Sequence, residues 1–383
     1  MDPTLNPFAP GAGLRPPALV GRDAETAEAD TLVKRVSMGL ACRGLILYGL
    51  RGVGKTVLLN ELALRLDKAQ WFVVSVEANK SEQGAVKLRR RLADELQRRA
   101  RSRTEAFGDA AGAIAAALGS LTLRFAGTEI SVNRERNSST NELDLRDAVL
   151  KIAAALQRRQ RGFAICVDEI QDIDNELAED LIEAQHAAGQ QGLPFFLLGA
   201  GLPGTPARLA DSHSYAERLF NYCQVGPLDA AGVDAALNEP AARQNASFSF
   251  EAVQAIVGAS AGYPYFVQEF GQAAWNLAVG PQITKEEAHA AVQRGFDELD
   301  SAFFASRWSK ATDRERDYLR AMAVTDGTQT LTREVAQRLG TTVQSLSPQR
   351  QSLIDKGIIW SPERGKIAFT VPGMAEFIDR LSS

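Results

Sequence analysis

The segment Gly49-Leu50-Arg51-Gly52-Val53-Gly54-Lys55-Thr56 restricts the possible folds of this chain more than any other feature. It fits the pattern G-x-x-x-x-G-K-[ST], and its surroundings fit too. Ahead of it, Gly44 to Gly49 reads as a short buried strand. Behind it, Lys55 to Leu66 places Val57, Leu58, Leu59, Leu62 and Leu66 at helical spacing. Glycines let the backbone curl until successive N–H groups point inward, which is the geometry that cradles phosphates. The following helix N-terminus adds unpaired N–H groups and a favourable dipole. In such a loop Lys55 reaches the β- and γ-phosphates and the Thr56 hydroxyl serves a magnesium ion. Residues Gly49 to Val57 are therefore candidates for holding ATP or ADP with Mg2+.

A strand–loop–helix unit of this kind needs a sheet around it. The apolar runs Trp71–Val76, Phe163–Val167, Pro194–Leu198 and Cys223–Val225 supply four more strands. Helical patterns near 23–39, 85–100, 143–159 and 176–188 separate them. Continuously apolar strands alternating with helices predict a parallel five-stranded α/β core covered on both faces. In the helix over 85–100, Leu88, Leu92 and Leu96 form the inner stripe. Arg89, Arg90, Arg91, Arg98 and Arg99 read as a solvated face or a binding patch. Residues 101–142 break the pattern and are read as an insertion. In it, Ser120–Phe125 and Thr128–Val132 alternate like a hairpin around Ala126-Gly127.

The strand Phe163–Val167 runs straight into Asp168-Glu169, so it delivers both acids to its C-terminal edge, where open α/β sheets bind ligands. There Asp168 suits holding the magnesium ion through its water. Glu169 suits orienting and activating an attacking water as general base. The alternative is a helix N-cap, a role that Asp172 or Asp174 could also fill.

Composition removes several other classes. The 383 residues exceed one ordinary core, so two or three domains are expected. A net charge of -4 gives no overall nucleic-acid signature. Cys42, Cys166 and Cys223, and likewise His186, His213 and His289, are scattered without zinc-type spacing, which fits a reducing cytoplasm. No apolar stretch is long enough to span a bilayer, and the N-terminus lacks the pattern of a secretory signal, so no membrane association is expected.

After Pro227 the strands stop. Helical segments near 230–243, 249–260, 264–278 and 284–297 follow. From about 310, helical patterns at 313–323, 332–339 and 343–356 precede Ile358–Trp360, a turn at Ser361–Gly365, and Lys366–Val371. Three helices and then a hairpin is the order of a winged helix. In it, 343–356 would be the recognition helix, with Ser345, Gln349, Arg350 and Lys356 facing outward and Arg364 and Lys366 on the wing. Such residue types suit duplex DNA, although the acids of the segment offset its bases and a protein partner also fits.

Taken together the chain resembles AAA+ ATPases of the Orc1/Cdc6-like kind. The likeness rests on Val20-Gly21-Arg22-Asp23, the phosphate loop, Asp168-Glu169, a helical lid and the winged-helix order. It implies a P-loop NTPase (AAA+) core over 20–228 with the insertion at 101–142. It further implies an extended Pro/Gly-rich arm at 1–19, a lid at 229–305 and a winged helix at 306–383. It also implies that Val20 and Gly21 pack on adenine. Arg218, just before the fifth strand, would be an arginine finger acting in a nucleotide-dependent homo-oligomer. Two departures stand out. The polar sensor after the fourth strand is replaced by Gly199-Ala200-Gly201. The cationic sensor of the lid is replaced by Gly262-Tyr263-Pro264, which resembles the Gly-x-Pro motif of signalling (STAND) and archaeal-type ATPases. Tyr263 and Pro264 would then touch the nucleotide, and hydrolysis would be slow for want of a cation.

Overall fold

A computed structural model of the chain describes residues 1–382 except 12, 41, 80–81, 103–106, 126–127, 132–143, 213–215 and 325–328. By contact it divides into two compact units. The first comprises Arg22–Gly49 and Lys55–Val225, and the second Met1–Gly21, Leu50–Gly54 and Gly226–Ser383.

The first unit is built on a five-stranded sheet: β1 (Gly44–Tyr48), β2 (Phe72–Glu77), β5 (Phe163–Asp168), β6 (Phe195–Gly201) and β7 (Phe220–Gln224). Its strand order is β2-β5-β6-β1-β7, and every pairing is parallel. The three central strands β5, β6 and β1 are buried on both faces, as their unbroken apolar runs predicted, whereas β7 at the edge is buried only at Phe220 and begins three residues earlier than the predicted run Cys223–Val225. Phe72, Phe163 and Phe195 stand side by side on neighbouring strands with ring centroids 5.2 and 5.1 Å apart. Burying each such ring contributes about 1.5–3 kcal/mol.

The segment read as an insertion takes part in this core. Ala110–Gly119 is a helix, and Phe107, Ile114 and Leu118 lie in one apolar cluster with Leu92, Leu96 and Ile152. An alanine-rich stretch has high helix propensity but little contrast between its faces, so periodicity misses it. The hairpin forms as β3 (Thr122–Phe125) and β4 (Thr128–Ser131), paired antiparallel. The predicted turn at 126–127 and the polar run 134–141 lie outside the described residues.

The predicted basic face is corrected at two positions, Arg89 and Arg99, the latter half-buried and ion-paired with Asp67. Leu88, Leu92 and Leu96 are buried, but Arg89 is buried as well, only 1% exposed. Its guanidinium meets the Asp174 carboxylate in two bonds of 2.6 and 2.7 Å. Arg90, Arg91 and Arg98 remain exposed.

In the second unit, helices Ala230–Ala242, Phe250–Ser260, Pro264–Leu277 and Lys285–Glu298 pack together, and two short strands, β8 (Ser247–Phe248) and β9 (Gln282–Ile283), pair in parallel beside them. The arm predicted to be extended at the N-terminus instead begins with a 3-10 turn, Pro3–Leu5, capped by the Asp2 side chain, and is firmly seated. Phe8 is 2% exposed, and the Trp275 indole N–H donates to the Asp2 carbonyl at 2.8 Å. A π-helical turn, Leu299–Phe304, leads through Ala305–Ser309 into helices Asp313–Ala323, Thr332–Arg338 and Ser347–Asp355. Strands β10 (Thr330–Leu331), β11 (Ile359–Trp360) and β12 (Lys366–Phe369) form an antiparallel sheet in the order β10-β12-β11, and Met374–Ser382 closes the chain as a helix. The helix predicted over 343–356 starts only at Ser347, with Pro348 in its first turn, a placement that proline favours. Among the described residues, no helix is long and apolar enough to cross a membrane.

Candidate functional site

Strand β1 ends at Tyr48, and the Gly49 amide is tied to the Gly201 carbonyl of β6 at 3.2 Å. The chain then turns through Gly52 and Gly54 at φ of +84° and +90°. L-residues with a side chain avoid that region, so these two glycines are what let the loop close. The helix Lys55–Lys68 starts directly at Lys55, which puts Lys55 and Thr56 in its first turn.

Asp168 is the last residue of β5, as the strand pattern required. Its carboxylate accepts the Glu169 amide at 2.9 Å and a hydrogen bond from the Thr56 hydroxyl. Burial raises the pKa of Asp168, while the Thr56 hydroxyl, the Glu169 amide and the Lys55 charge act against that rise. A half-buried carboxylate beside a hydroxyl is the hard-oxygen set that magnesium takes, and a divalent cation would reverse the desolvation cost. Thr56 and Asp168 thus fit the ion. Among the described residues, no cluster of three or more His, Cys, Asp or Glu offers a metal site of another kind.

Glu169 occupies the left-handed region, at φ 49° and ψ 42°, unusual for a residue with a side chain. Its carboxylate accepts the Gln171 amide at 2.5 Å, and the Gln171 oxygen in turn accepts the Leu202 amide at 3.0 Å. Of the acid pair, Glu169 stands at the N-cap position of the 3-10 turn Ile170–Asp172 but its side chain makes no cap bond. Asp174 caps the helix Asn175–Gln190 by accepting the Leu177 amide at 3.1 Å. Sequence reading overlooked Gln171. The available signal was a single amide side chain two positions after Glu169, in a stretch expected to be only a connection.

Strand β6 runs to Gly201 rather than ending at Leu198, so Gly199-Ala200-Gly201 lie within it. A Cβ at Gly199 would come within 2.7 Å of Ile170, and one at Gly201 within 2.7 Å of the Gln171 oxygen. The missing polar residue therefore has a steric cause: Ile170 and Gln171 from the loop after β5, with Ile46 and Thr205, occupy its space.

The loop residues Leu50–Gly54 group with the second unit. Within that unit the Arg51 amide donates to the Thr370 carbonyl at 3.3 Å, and the Gly52 carbonyl accepts the Tyr265 amide at 3.4 Å. Tyr263, buried, caps the helix that starts at Pro264. Val20 is half-buried, Gly21 is exposed, and Val53 is buried. In the first unit, Arg218 is exposed on the short helix Ala216–Leu219 and has no ion pair among the described residues.

The proposed DNA face fares unevenly. Arg364 is exposed, and Ser345 is exposed but lies in the turn ahead of the helix, its hydroxyl bonded to the Thr342 carbonyl at 2.8 Å. Lys356 does not reach outward as expected. Its ammonium sits 2.6 Å from the buried Glu315 carboxylate. Lys366 pairs with Glu363 at 2.9 Å. Gln349 and Arg350 are half-buried, and the Gln349 oxygen and Arg350 Nε are buried without hydrogen-bond partners.

Comparison with known families adds the decisive observation: residues 18–198 match the AAA ATPase domain. Residues 301–378 of the chain match a domain of unknown function, DUF8462. Among solved structures, the Walker-type ATPase PABY2304 of Pyrococcus abyssi superposes with a TM-score of 0.64 at 16% identity, covering 98% of this chain and 99% of that one. That likeness shows a shared P-loop NTPase fold. The Aeropyrum pernix Orc1 protein in complex with DNA gives a TM-score of 0.46 at 18% identity, covering 95% of each chain. The Thermotoga maritima RuvB Holliday junction branch migration motor gives 0.46 at 16%, covering 96% of this chain and 99% of that one. No curated protein sequence matches.

Proposed function

We propose that this chain is an ATP-dependent switch that binds Mg·ATP, hydrolyses it slowly, and couples its nucleotide state to duplex-DNA binding by the C-terminal segment. The observation that carries this reading is the bond between Thr56 and the half-buried Asp168, in a stretch that matches the AAA ATPase domain. Lys55 and the loop amides Gly49 to Val57 hold the phosphates, with Val20, Gly21, Tyr263 and Pro264 around the rest of the nucleotide. Magnesium, when bound to Thr56 and Asp168, supplies neutralisation of phosphate charge. Glu169 takes the proton of the attacking water.

Slow hydrolysis follows from the lid, whose helix starts Pro264-Tyr265-Phe266 and brings no cation in its first turn. Transition-state charge then goes without one customary stabiliser. The exposed Arg218 suits a role as arginine finger toward a neighbouring copy, which would raise the rate only on assembly. The helix–strand–helix–helix–hairpin order of residues 313–369 is that of a winged helix, which supports DNA as partner. The internal pairing of Lys356 and Lys366 favours a second reading, in which that segment docks a protein instead.

Titration calorimetry with Mg·ATP and Mg·ADP tests the first claim. The parent should bind both, and Lys55→Ala should weaken binding about 10–100-fold, the loss of one or two charge-assisted bonds. Equal heats from parent and variant would sink it. A duplex-DNA shift assay across salt concentrations decides between partners, because a log–log slope near zero excludes phosphate contacts.

A further inference from the structure

We propose that Gln171 is the positioning residue of hydrolysis, holding the Glu169 carboxylate toward the attacking water and linking it to the backbone just beyond β6. The proposal rests on the ATPase reading above and names a residue for it. Both ends of the Gln171 amide are engaged. Its N–H donates to Glu169 Oε2 at 2.5 Å, and its oxygen accepts the Leu202 amide at 3.0 Å. One side chain thus joins the base to the first residue after β6.

Three further observations support the role. The end of β6 carries no polar side chain of its own, and the Gln171 oxygen lies 2.7 Å from where a Cβ of Gly201 would be. The polar groups at that place therefore come from outside the strand, Gln171 from the loop after β5 and Thr205 from the helix after β6. Second, the hydroxyl of Thr205 approaches the same Gly201 position. It is fully buried and has no hydrogen-bond partner among the described residues. An unpartnered buried hydroxyl costs about 1–3 kcal/mol, so a water or phosphate oxygen arriving there would be welcomed. Third, Glu169 sits in the left-handed region, a local conformation that its surroundings must hold.

In the step so arranged, the water oxygen bonds to the γ-phosphorus as the bond to the β–γ bridging oxygen breaks. The bridging electron pair leaves with ADP, and the water proton passes to the Glu169 carboxylate. Gln171 touches neither phosphate nor water. It fixes the direction of the group that does, and a misplacement of about 1 Å in such a group costs about 10²-fold.

The test uses the full chain, with Gln171→Leu and Gln171→Glu variants. Single-turnover hydrolysis of Mg·ATP at excess protein gives the rate, and calorimetry gives the Kd for Mg·ATP and Mg·ADP. Gln171→Leu should slow the chemical step about 10–100-fold with both Kd values within about 2-fold of the parent. Gln171→Glu keeps an acceptor for Leu202 but cannot donate to Glu169. It should be equally slow, with an unchanged melting temperature, which separates the Glu169 bond from any loss of structure. The proposal is overturned if either variant hydrolyses within about 2-fold of the parent, or if affinity falls in step with rate. A parent that binds Mg·ATP yet turns it over no faster than Glu169→Gln overturns the positioning role alone. A parent that binds no nucleotide overturns the ATPase reading beneath it.

Discussion

At the end of β5 the two acids accept hydrogen bonds from neutral groups, Asp168 from the Thr56 hydroxyl and Glu169 from the Gln171 amide, with the Lys55 charge also acting on Asp168. In the C-terminal segment the charged residues meet each other, Lys356 with Glu315 and Lys366 with Glu363. The difference separates chemistry from scaffolding. A carboxylate with a neutral hydrogen bond keeps its charge available for a cation or a proton. A carboxylate closed onto a lysine has its charge satisfied within the fold. Arg89 and Asp174 show the second pattern inside the first unit as well, where they fasten the helix Glu82–Ser102 to the cap of Asn175–Gln190.

The sharpest break in that comparison would come from Glu169→Gln. It should lower single-turnover hydrolysis by about 10²–10⁴-fold while leaving Mg·ATP affinity nearly intact. A variant that hydrolyses normally would place Glu169 with the structural acids.

Next in size is Arg89→Ala. Removing one partner of a buried pair leaves Asp174 uncompensated and should cost about 3–5 kcal/mol in urea unfolding. Exposed Arg90→Ala should change stability by less than about 0.5 kcal/mol. Equal effects would mean that the buried pair does not hold the two helices.

Glu315 sets a pH window. Burial alone would raise its pKa, but hydrogen bonds from Lys356, Ser352 and Thr312 bring it from an ordinary 4.5 down to about 2. A carboxyl depressed on folding contributes stability that is complete above its unfolded value and is lost as pH falls toward the folded one. The contribution is on the order of 3 kcal/mol. The stability difference between parent and Glu315→Gln should therefore be largest above pH 5 and shrink between about 4.5 and 2. A difference independent of pH would remove the ion pair from the account.

The smallest effect concerns DNA. If the segment binds duplex DNA, Arg364→Ala should lower the log–log salt slope by about 1. Lys356→Ala should leave the slope unchanged, since that lysine is closed onto Glu315. A slope change at Lys356 would return it to the DNA face.

Residues 49–56 and 163–169 were legible because local rules fix them. A strand must run apolar to be buried, glycines alone take the turn at Gly52 and Gly54, and the chain ends the strand on its acids. Helix spans over 55–66 and 176–188 followed from periodicity alone. The helix Ala110–Gly119 escaped because alanine has no polar face to contrast with an apolar one. Arg89 escaped because arginine belongs to the surface by composition and is brought inside only by a carboxylate distant in the sequence.

By itself, then, the sequence determined the parallel α/β core, the phosphate loop and the acids at the end of β5, since each depends on the few residues around it. Only the tertiary structure decided which charges stay open. Lys356 is closed by Glu315, and Glu169 is held by a glutamine that also reaches Leu202. Such pairings depend on groups far apart in the chain, and on distances of a few ångströms that no pattern of residue types encodes.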